Sequence, residues 1–281
     1  MSRRTPYFFL LPAIVFLAWF MVVPALQIFY YSFLNYSVFS ASTFVGMENY
    51  RRLFADVNFW WTLLNSFLFI LVTPVLMFLS LVLALCVRNL QRGTKLFRTF
   101  YFLPVITPIV IAGIIWRWIF AEDTGIANYF LSLLSIPNVH WLTEYPTTII
   151  SIMLVTIWRG AGYYMMIFLA GLALIPKEVE EASLIDGATI FQQTFHILIP
   201  LLKPTLIFIF VISSTAAIKI FTEIYIMIPG APMANKALVS FLYQQAFERF
   251  DLGYGSAVGV VLFLITLSFS YVNIKLIEQR G

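Results

Sequence analysis

The sequence predicts an all-α polytopic membrane protein with six transmembrane helices, on three observations: its composition, its long apolar stretches and its uneven distribution of basic residues. Of 281 residues, 61% are hydrophobic and 11% charged, against roughly 45–50% and about 25% in soluble domains. A domain of about this size still exposes roughly a quarter of its unfolded surface, so this much apolar area must face lipid, which argues against a water-soluble enzyme. No tract is Ser-rich, Gln-rich or a charge block, and residues 1–281 read as one transmembrane domain.

Six stretches supply the roughly 20 apolar residues needed to cross about 30 Å of hydrocarbon. The first, residues 6–33, follows Arg3 and Arg4 as a secretory signal would. It is too long for such a signal and lacks a small-residue cleavage site, so it reads as a retained N-terminal anchor. The others are residues 60–87, 99–120, 147–174, 204–228 and 255–277, which place the membrane core at about 60–277.

Basic residues flanking the spans set the orientation. With both termini cytoplasmic, the inner set is Arg3, Arg4, Arg88, Arg92, Lys95, Arg98, Lys177, Lys203, Lys275 and Arg280, against Arg51, Arg52, Lys236 and Arg249 outside. Trp60, Trp61, Trp116, Trp118 and Trp141 then fall at the outer interface, where aromatic belts form. Residues 47–55 and 126–134 of the outer loops each suggest a short interfacial helix, either packing or docking.

Several chemistries are disfavoured. Cys86 is the one cysteine, and His140 and His196 have no second ligand nearby, so neither a disulfide nor a metal site is expected. The net charge of +4 comes from residues beside apolar runs, which orients a membrane protein and gives no sign of nucleic-acid binding. No G-x-x-x-x-G-K-[ST] loop is present, so ATP is not expected to bind here in the usual way.

Residues 175–204, inside on this topology, read as two short helices and a turn. Pro176 suits a first helical position, Glu178, Glu180 and Glu181 suit the positive end of the helix dipole, and Gly187 can take the left-handed conformation that stops a helix. A second helix is expected from about 189 to 199, ended by Pro200 and Pro204. The pair is either a docking element or an interfacial pair against headgroups. Its acidic character weighs against the second, because inner leaflets are themselves negative.

Polar residues interrupt spans four and five. Arg159 lies mid-span, at an insertion cost of about 2.5–3.5 kcal/mol, so it should face a cavity or a counter-charge. Gly160 and Gly162 permit a close backbone approach. Lys219 and Glu223 are spaced one helical turn apart and can partly neutralise each other. Ser213, Ser214, Thr215 and Thr222 add hydroxyls, and Tyr163 and Tyr164 add aromatic faces suited to sugars. Spans four and five therefore either line a translocation cavity, or pair Lys219 with Glu223 structurally while Arg159 binds a carbonyl or a neighbouring subunit.

The loop carries a resemblance. Glu181, Ala182, Gly187, Ile197 and Pro200 match the spacing of the EAA loop of binding-protein-dependent ABC importer permeases, with Ser183 in place of the second Ala and Ile199 in place of Leu. FVGMENYRRLF from Phe44, FRTFYFLPVITPIVIAGIIWRWIF from Phe97, GYYMMIFLAGLALIP from Gly162 and GYGSAVGVVLFLITLSFSYVNIKL from Gly253 resemble the sugar-permease branch, typified by the maltose and glycerol-3-phosphate importers. The resemblance implies a type I (MetI-like) permease fold with a cytoplasmic EAA coupling-helix loop. Glu181 would meet a basic ATPase side chain, Gly187 would make the turn, and Ala182, Ser183, Asp186 and Ala188 would support it.

It implies partners too: a second homologous permease, two ATP-binding subunits holding ATP and Mg, and an extracytoplasmic binding protein, in the cytoplasmic (inner) membrane of a prokaryote. This chain would hold no cofactor of its own. By the same resemblance the sugar site would use Gly160, Ala161 and Tyr164 of span four with Ser213, Ala217 and Ile220 of span five, although the relatives' asparagines are absent here. The expected cargo is a sugar or sugar-like polyol glycoside. The alternatives are an anionic polyol such as glycerol-3-phosphate, motivated by Arg159 and Lys219, and a proton-coupled secondary carrier using Glu223.

Overall fold

The structure, a computed structural model, describes residues 5–37, 39–88, 90 and 93–278. Arg3, Arg4, Arg92 and Arg280, four of the residues used above to orient the chain, lie outside them.

The first span runs through α1 (Thr5–Leu17), a wide π-turn at Ala18–Val22 and α2 (Val23–Tyr31). The wide turn lies just before Pro24, which has no N–H to donate and crowds the preceding turn. None of the most apolar stretch of this span is buried. Within this span α2 packs against the last helix, where Phe29 meets Phe263 edge-on at 5.8 Å.

A hairpin follows that the sequence reading did not anticipate. Its strands are β1 (Leu34–Ser37) and β2 (Ser40–Phe44), antiparallel, with Leu34 opposite Phe44. The Asn49 amide donates to the Ser32 and Leu34 carbonyls at 2.9 and 2.8 Å. Asn49 belongs to α3 (Glu48–Ala55), the first expected interfacial helix, which buries Tyr50 and Leu53 and so packs. Asp56 accepts from the Asn58 N–H at 2.8 Å and caps α4 (Val57–Leu68). One 3-10 turn, Phe69–Leu71, joins α4 to α5 (Val72–Arg88), and the two make the second span.

The third expected span is not one straight helix. It is α6 (Thr94–Ile106) and α7 (Ile109–Ile119), bent by 91°. Thr107 is extended, as a residue preceding proline tends to be, and Pro108 starts the new direction. In α8 (Ile126–Leu133), the second expected connector helix, Asn128 is pinned by bonds to the Glu122 and Val139 carbonyls, while Tyr129, Phe130 and Leu133 are exposed. Trp60, Trp61 and Trp118 are exposed as belt residues should be, whereas Trp116 and Trp141 are partly buried around Phe120, with centroids at 5.2 and 5.3 Å.

Span four is α9 (Thr147–Ala173), which packs on α5 and α6. A Cβ on Gly162 would lie 1.9 Å from the Tyr101 carbonyl oxygen, so glycine is what lets α6 touch α9. Next come α10 (Lys177–Ile185), α11 (Ile190–Gln193), a π-turn at Thr194–Leu198, and α12 (Ile199–Leu201). Pro200 does not end this helix as expected. The π-turn accommodates it, and the 67° change of direction comes at Leu202, before α13 (Lys203–Ile218).

The fifth expected span is also broken, at residues 219–221, before α14 (Thr222–Met227). The chain closes with α15 (Leu238–Tyr243), a π-turn at Gln244–Glu248 and α16 (Leu252–Glu278). Among the described residues, four helices are long and apolar enough to span alone, and up to six crossings result when the two bent pairs, 94–119 and 190–218, count as one each. One apolar cluster, including Val72, Leu76, Tyr164, Phe168, Leu172, Ile175, Leu198 and Leu202, joins the middle of the bundle to the 175–204 loop. A second gathers Phe69, Phe120, Ile152, Ile220, Ile224 and Met227.

Candidate functional site

The break in span five shapes a cavity of about 390 Å³ among α5, α6, α9, α13 and α14. Lys219 ends α13 and Phe221 departs from helical geometry, so α14 restarts on a new line. This separates Lys219 from Glu223, and the expected pairing of the two within one helix does not occur. Glu223 instead receives the Arg159 Nη1 from α9 at 3.1 Å. The counter-charge that span four required thus comes from span five, and Lys219 makes no ion pair among the described residues.

Nine of the expected pathway residues line the cavity: Arg159, Gly160, Tyr163, Tyr164, Ser213, Ala217, Lys219, Ile220 and Glu223. Ala161 does not. Its carbonyl accepts the Ser80 hydroxyl at 3.0 Å and faces α5. Tyr163 and Tyr164 meet edge-on at 5.0 Å, the first half-exposed and the second buried. Ser213 and Ser214 donate to the Ile209 and Phe210 carbonyls of their own helix, at 2.7 and 2.5 Å.

The reading of spans four and five missed the opposite wall, which includes Val72, Thr73 and Leu76 of α5 and Val105 of α6. Thr73 Oγ1 and Arg159 Nε are buried without a hydrogen-bond partner among the described residues, the kind of polar atom a bound hydroxyl could satisfy. The available signal was a threonine beside Pro74 in an otherwise apolar run.

The 175–204 loop turns where the sequence suggested a turn. Gly187 has φ +81°. The Ala188 N–H bonds to the Ser183 carbonyl at 3.0 Å and the Gly187 N–H to the Leu184 carbonyl at 3.1 Å, closing α10 with paired bonds that need a left-handed residue. Thr189 then opens α11 through reciprocal bonds with Gln192. Glu181, Ala182 and Asp186 are exposed, Ala188 is half-buried and Ser183 is buried.

Ser183, where the family pattern has alanine, has a role: its hydroxyl donates to the Glu180 carbonyl at 2.7 Å and accepts from Gln193 Nε2 at 2.8 Å, tying α10 to α11. Arg88 at the end of α5 ion-pairs with Glu180, a link that the sequence did not reveal. Ile185, Phe191 and Phe195 stand exposed, the two rings 4.3 Å apart, as an apolar face beside Glu181.

At the opposite end, Glu122 joins His140 Nδ1 at 2.9 Å and accepts the Thr143 hydroxyl at 2.5 Å. Thr143, and then His140, hold the Glu122 carboxyl below its ordinary range. The same Glu122 bond, helped by the charge of Glu144, raises His140.

Residues 76–280 match the family described as "Binding-protein-dependent transport system inner membrane component". The chain is 34% identical over 281 residues to the "Probable ABC transporter permease protein YurN" of Bacillus subtilis, covering 98% of this chain and 96% of that one. It is 32% identical over 280 residues to the arabinooligosaccharides transport system permease protein AraP of the same organism, covering 98% and 89%. Its fold matches a chain of a bacterial alginate ABC transporter, solved with an alginate pentasaccharide-bound periplasmic protein, at a TM-score of 0.85, 20% identity, and coverage of 96% and 92%. By the family match and these relatives, the chain belongs to the binding-protein-dependent transport system inner membrane components, and is a permease subunit of an ABC importer rather than an enzyme.

Proposed function

We propose that this subunit carries a sugar or sugar-like polyol glycoside, received from an extracytoplasmic binding protein, through the cavity between α5, α9, α13 and α14. The observation that carries the reading is the composition of that cavity: two tyrosine faces, a free threonine hydroxyl, and an arginine already neutralised by Glu223. Aromatic faces suit the apolar sides of sugar rings, and hydroxyls and amines suit their edges. AraP, named for arabinooligosaccharides, supports the same class.

In this reading a second homologous permease supplies the other half of the pathway, and two ATP-binding subunits hold ATP and Mg. Both termini face the cytoplasm of a prokaryote, so the loop hangs below the inner membrane. Glu181 and the exposed apolar face around Ile185 and Phe191 enter the ATPase, with Ala182, Ser183, Asp186, Gly187 and Ala188 keeping the element stiff. Closure of the ATPases pushes the loop, and the apolar cluster from Ile175 and Leu198 to Tyr164 and Leu76 passes the movement to the cavity walls.

The test is uptake of radiolabelled arabino- and malto-oligosaccharides into proteoliposomes holding the assembled importer and its binding protein. ATP-dependent uptake of a neutral oligosaccharide, reduced in Tyr164→Ala, supports the reading; no uptake of any sugar overturns it. Lys219, at the cavity and with no ion-pair partner among the described residues, favours a second reading in which the cargo is an anionic polyol such as glycerol-3-phosphate. Under it, Lys219→Gln lowers uptake of the phosphorylated polyol and leaves neutral sugars unchanged.

A further inference from the structure

Beside the cavity stands a set of aromatic rings outside the two apolar clusters described above. Phe221, in the break between α13 and α14, lines the cavity. Its ring lies 5.4 Å from that of Tyr225 and 5.1 Å from that of Tyr243, and Tyr243 in turn lies 5.2 Å from Phe247. Tyr225 and Tyr243 are 5.3 Å apart. Phe221, Tyr225 and Tyr243 are thus in mutual contact, and Tyr243 links the ring at the cavity wall to Phe247.

Two of the four rings are exposed. Phe221 and Tyr243 are partly covered, whereas Tyr225 is 48% and Phe247 59% exposed. The ring-to-ring contacts fix the four rings relative to one another. The turn that carries Phe247 also carries Gln244 and Glu248, an amide and a carboxylate at the margin of the rings. Apolar faces bordered by hydroxyl, amide and carboxylate groups fit pyranose rings, whose C–H faces stack while their hydroxyls bond outward.

We propose that Phe221, Tyr225, Tyr243 and Phe247 form a carbohydrate-stacking track that leads sugar units between the surface at Phe247 and the cavity at Phe221. The proposal rests on the sugar reading above and extends it: successive rings can hold adjacent residues of an oligosaccharide, so the track favours chains over single sugars.

Leucine provides the test, because it keeps apolar bulk and loses the flat face. Tyr243→Leu/Phe247→Leu and Tyr243→Trp/Phe247→Trp are compared with wild type in the complete importer, reconstituted with saturating binding protein and offered a labelled monosaccharide and tetrasaccharide. Subunit recovery is measured on a sizing column. The track predicts that the leucine variant assembles normally but takes up the tetrasaccharide about three- to tenfold more slowly, with the monosaccharide less affected, and that the tryptophan variant retains uptake. Leucine uptake equal to wild type overturns the proposal and assigns the rings to lipid. Loss of the second permease from the leucine variant also overturns it and assigns them to the subunit interface. Phe247→Leu alone, at the most exposed ring, repeats the comparison with little demand on folding. A wild type that carries phosphorylated polyols but no sugar refutes the sugar reading itself, which is a different failure from an unaffected leucine variant.

Discussion

Breaking the Arg159–Glu223 pair should destabilise the protein non-additively. Glu223 is 9% exposed and holds this ion pair at 3.1 Å. Stranding one member of a buried pair costs about 3–5 kcal/mol, because the remaining charge loses its compensation. The Arg159 side chain is 36% exposed, and screening weakens the pair on that side. Arg159→Met, which strands the more buried carboxylate, should therefore cost about 2 kcal/mol. Glu223→Gln leaves the arginine, which reaches solvent more easily, and should cost about 1 kcal/mol. In Arg159→Met/Glu223→Gln neither charge is stranded, so the cost should fall short of the sum by about 1 kcal/mol, well above the roughly 0.3–0.5 kcal/mol scatter of independent sites. The assay is detergent-titrated unfolding of all four proteins from lipid nanodiscs, followed by tryptophan fluorescence. Additive costs would refute the argument, since they would mean that each group is satisfied without the other.

Three further outcomes follow from the geometry. Gly162→Ala must push α6 from α9 by about 1.4 Å to restore an ordinary C···O contact of about 3.3 Å; it should lower stability by at least the roughly 1–3 kcal/mol of an overpacked core, and a thermal midpoint equal to wild type would contradict the crossing described here. At the Glu122–His140 cluster, the raised His140 stabilises the fold below about pH 6.5, and its contribution fades as pH rises through the raised native value; the lowered Glu122 contributes above about pH 4.5 and fades as pH falls through its lowered value. The thermal midpoint of wild type relative to His140→Gln should therefore be greatest between about pH 4.5 and 6.5, and a difference that grows toward pH 8 would reverse the sign. Arg88→Gln removes the tie between α5 and Glu180, so amide exchange should speed up in α10 and stay unchanged in α16; equal protection in both proteins would show the tie to be idle.

Much of this was legible in the sequence because span length, turn chemistry and helix stops are local properties. Gly187 stops α10 because the backbone there requires a left-handed residue, and six long apolar runs mark the crossings. What escaped depends on bends and on contacts distant in sequence. The spacing of Lys219 and Glu223 suggested a pair only because the helix was taken as continuous, and the break at residues 219–221 redirected Glu223 to Arg159, 64 residues away. Thr73 and Val105 enter the cavity wall only because α5 and α6 pack on α9. The strands of the hairpin, Leu34–Ser37 and Ser40–Phe44, are only four and five residues long, too short for a period-two pattern to stand out.

The most direct test of the account is co-purification of this chain, as wild type and as Glu181→Lys, with its ATP-binding subunits, followed by ATP hydrolysis in lipid with binding protein and substrate. Glu181 is exposed on α10, in a loop where Ile185, Phe191 and Phe195 are exposed too, so reversing its charge should leave the permease folded while weakening the joint. The account predicts a stable wild-type complex with substrate-stimulated hydrolysis, and loss of assembly or of that stimulation in Glu181→Lys. A Glu181→Lys complex that forms and couples as well as wild type would contradict the assignment of the loop as the lever between ATP and the cavity.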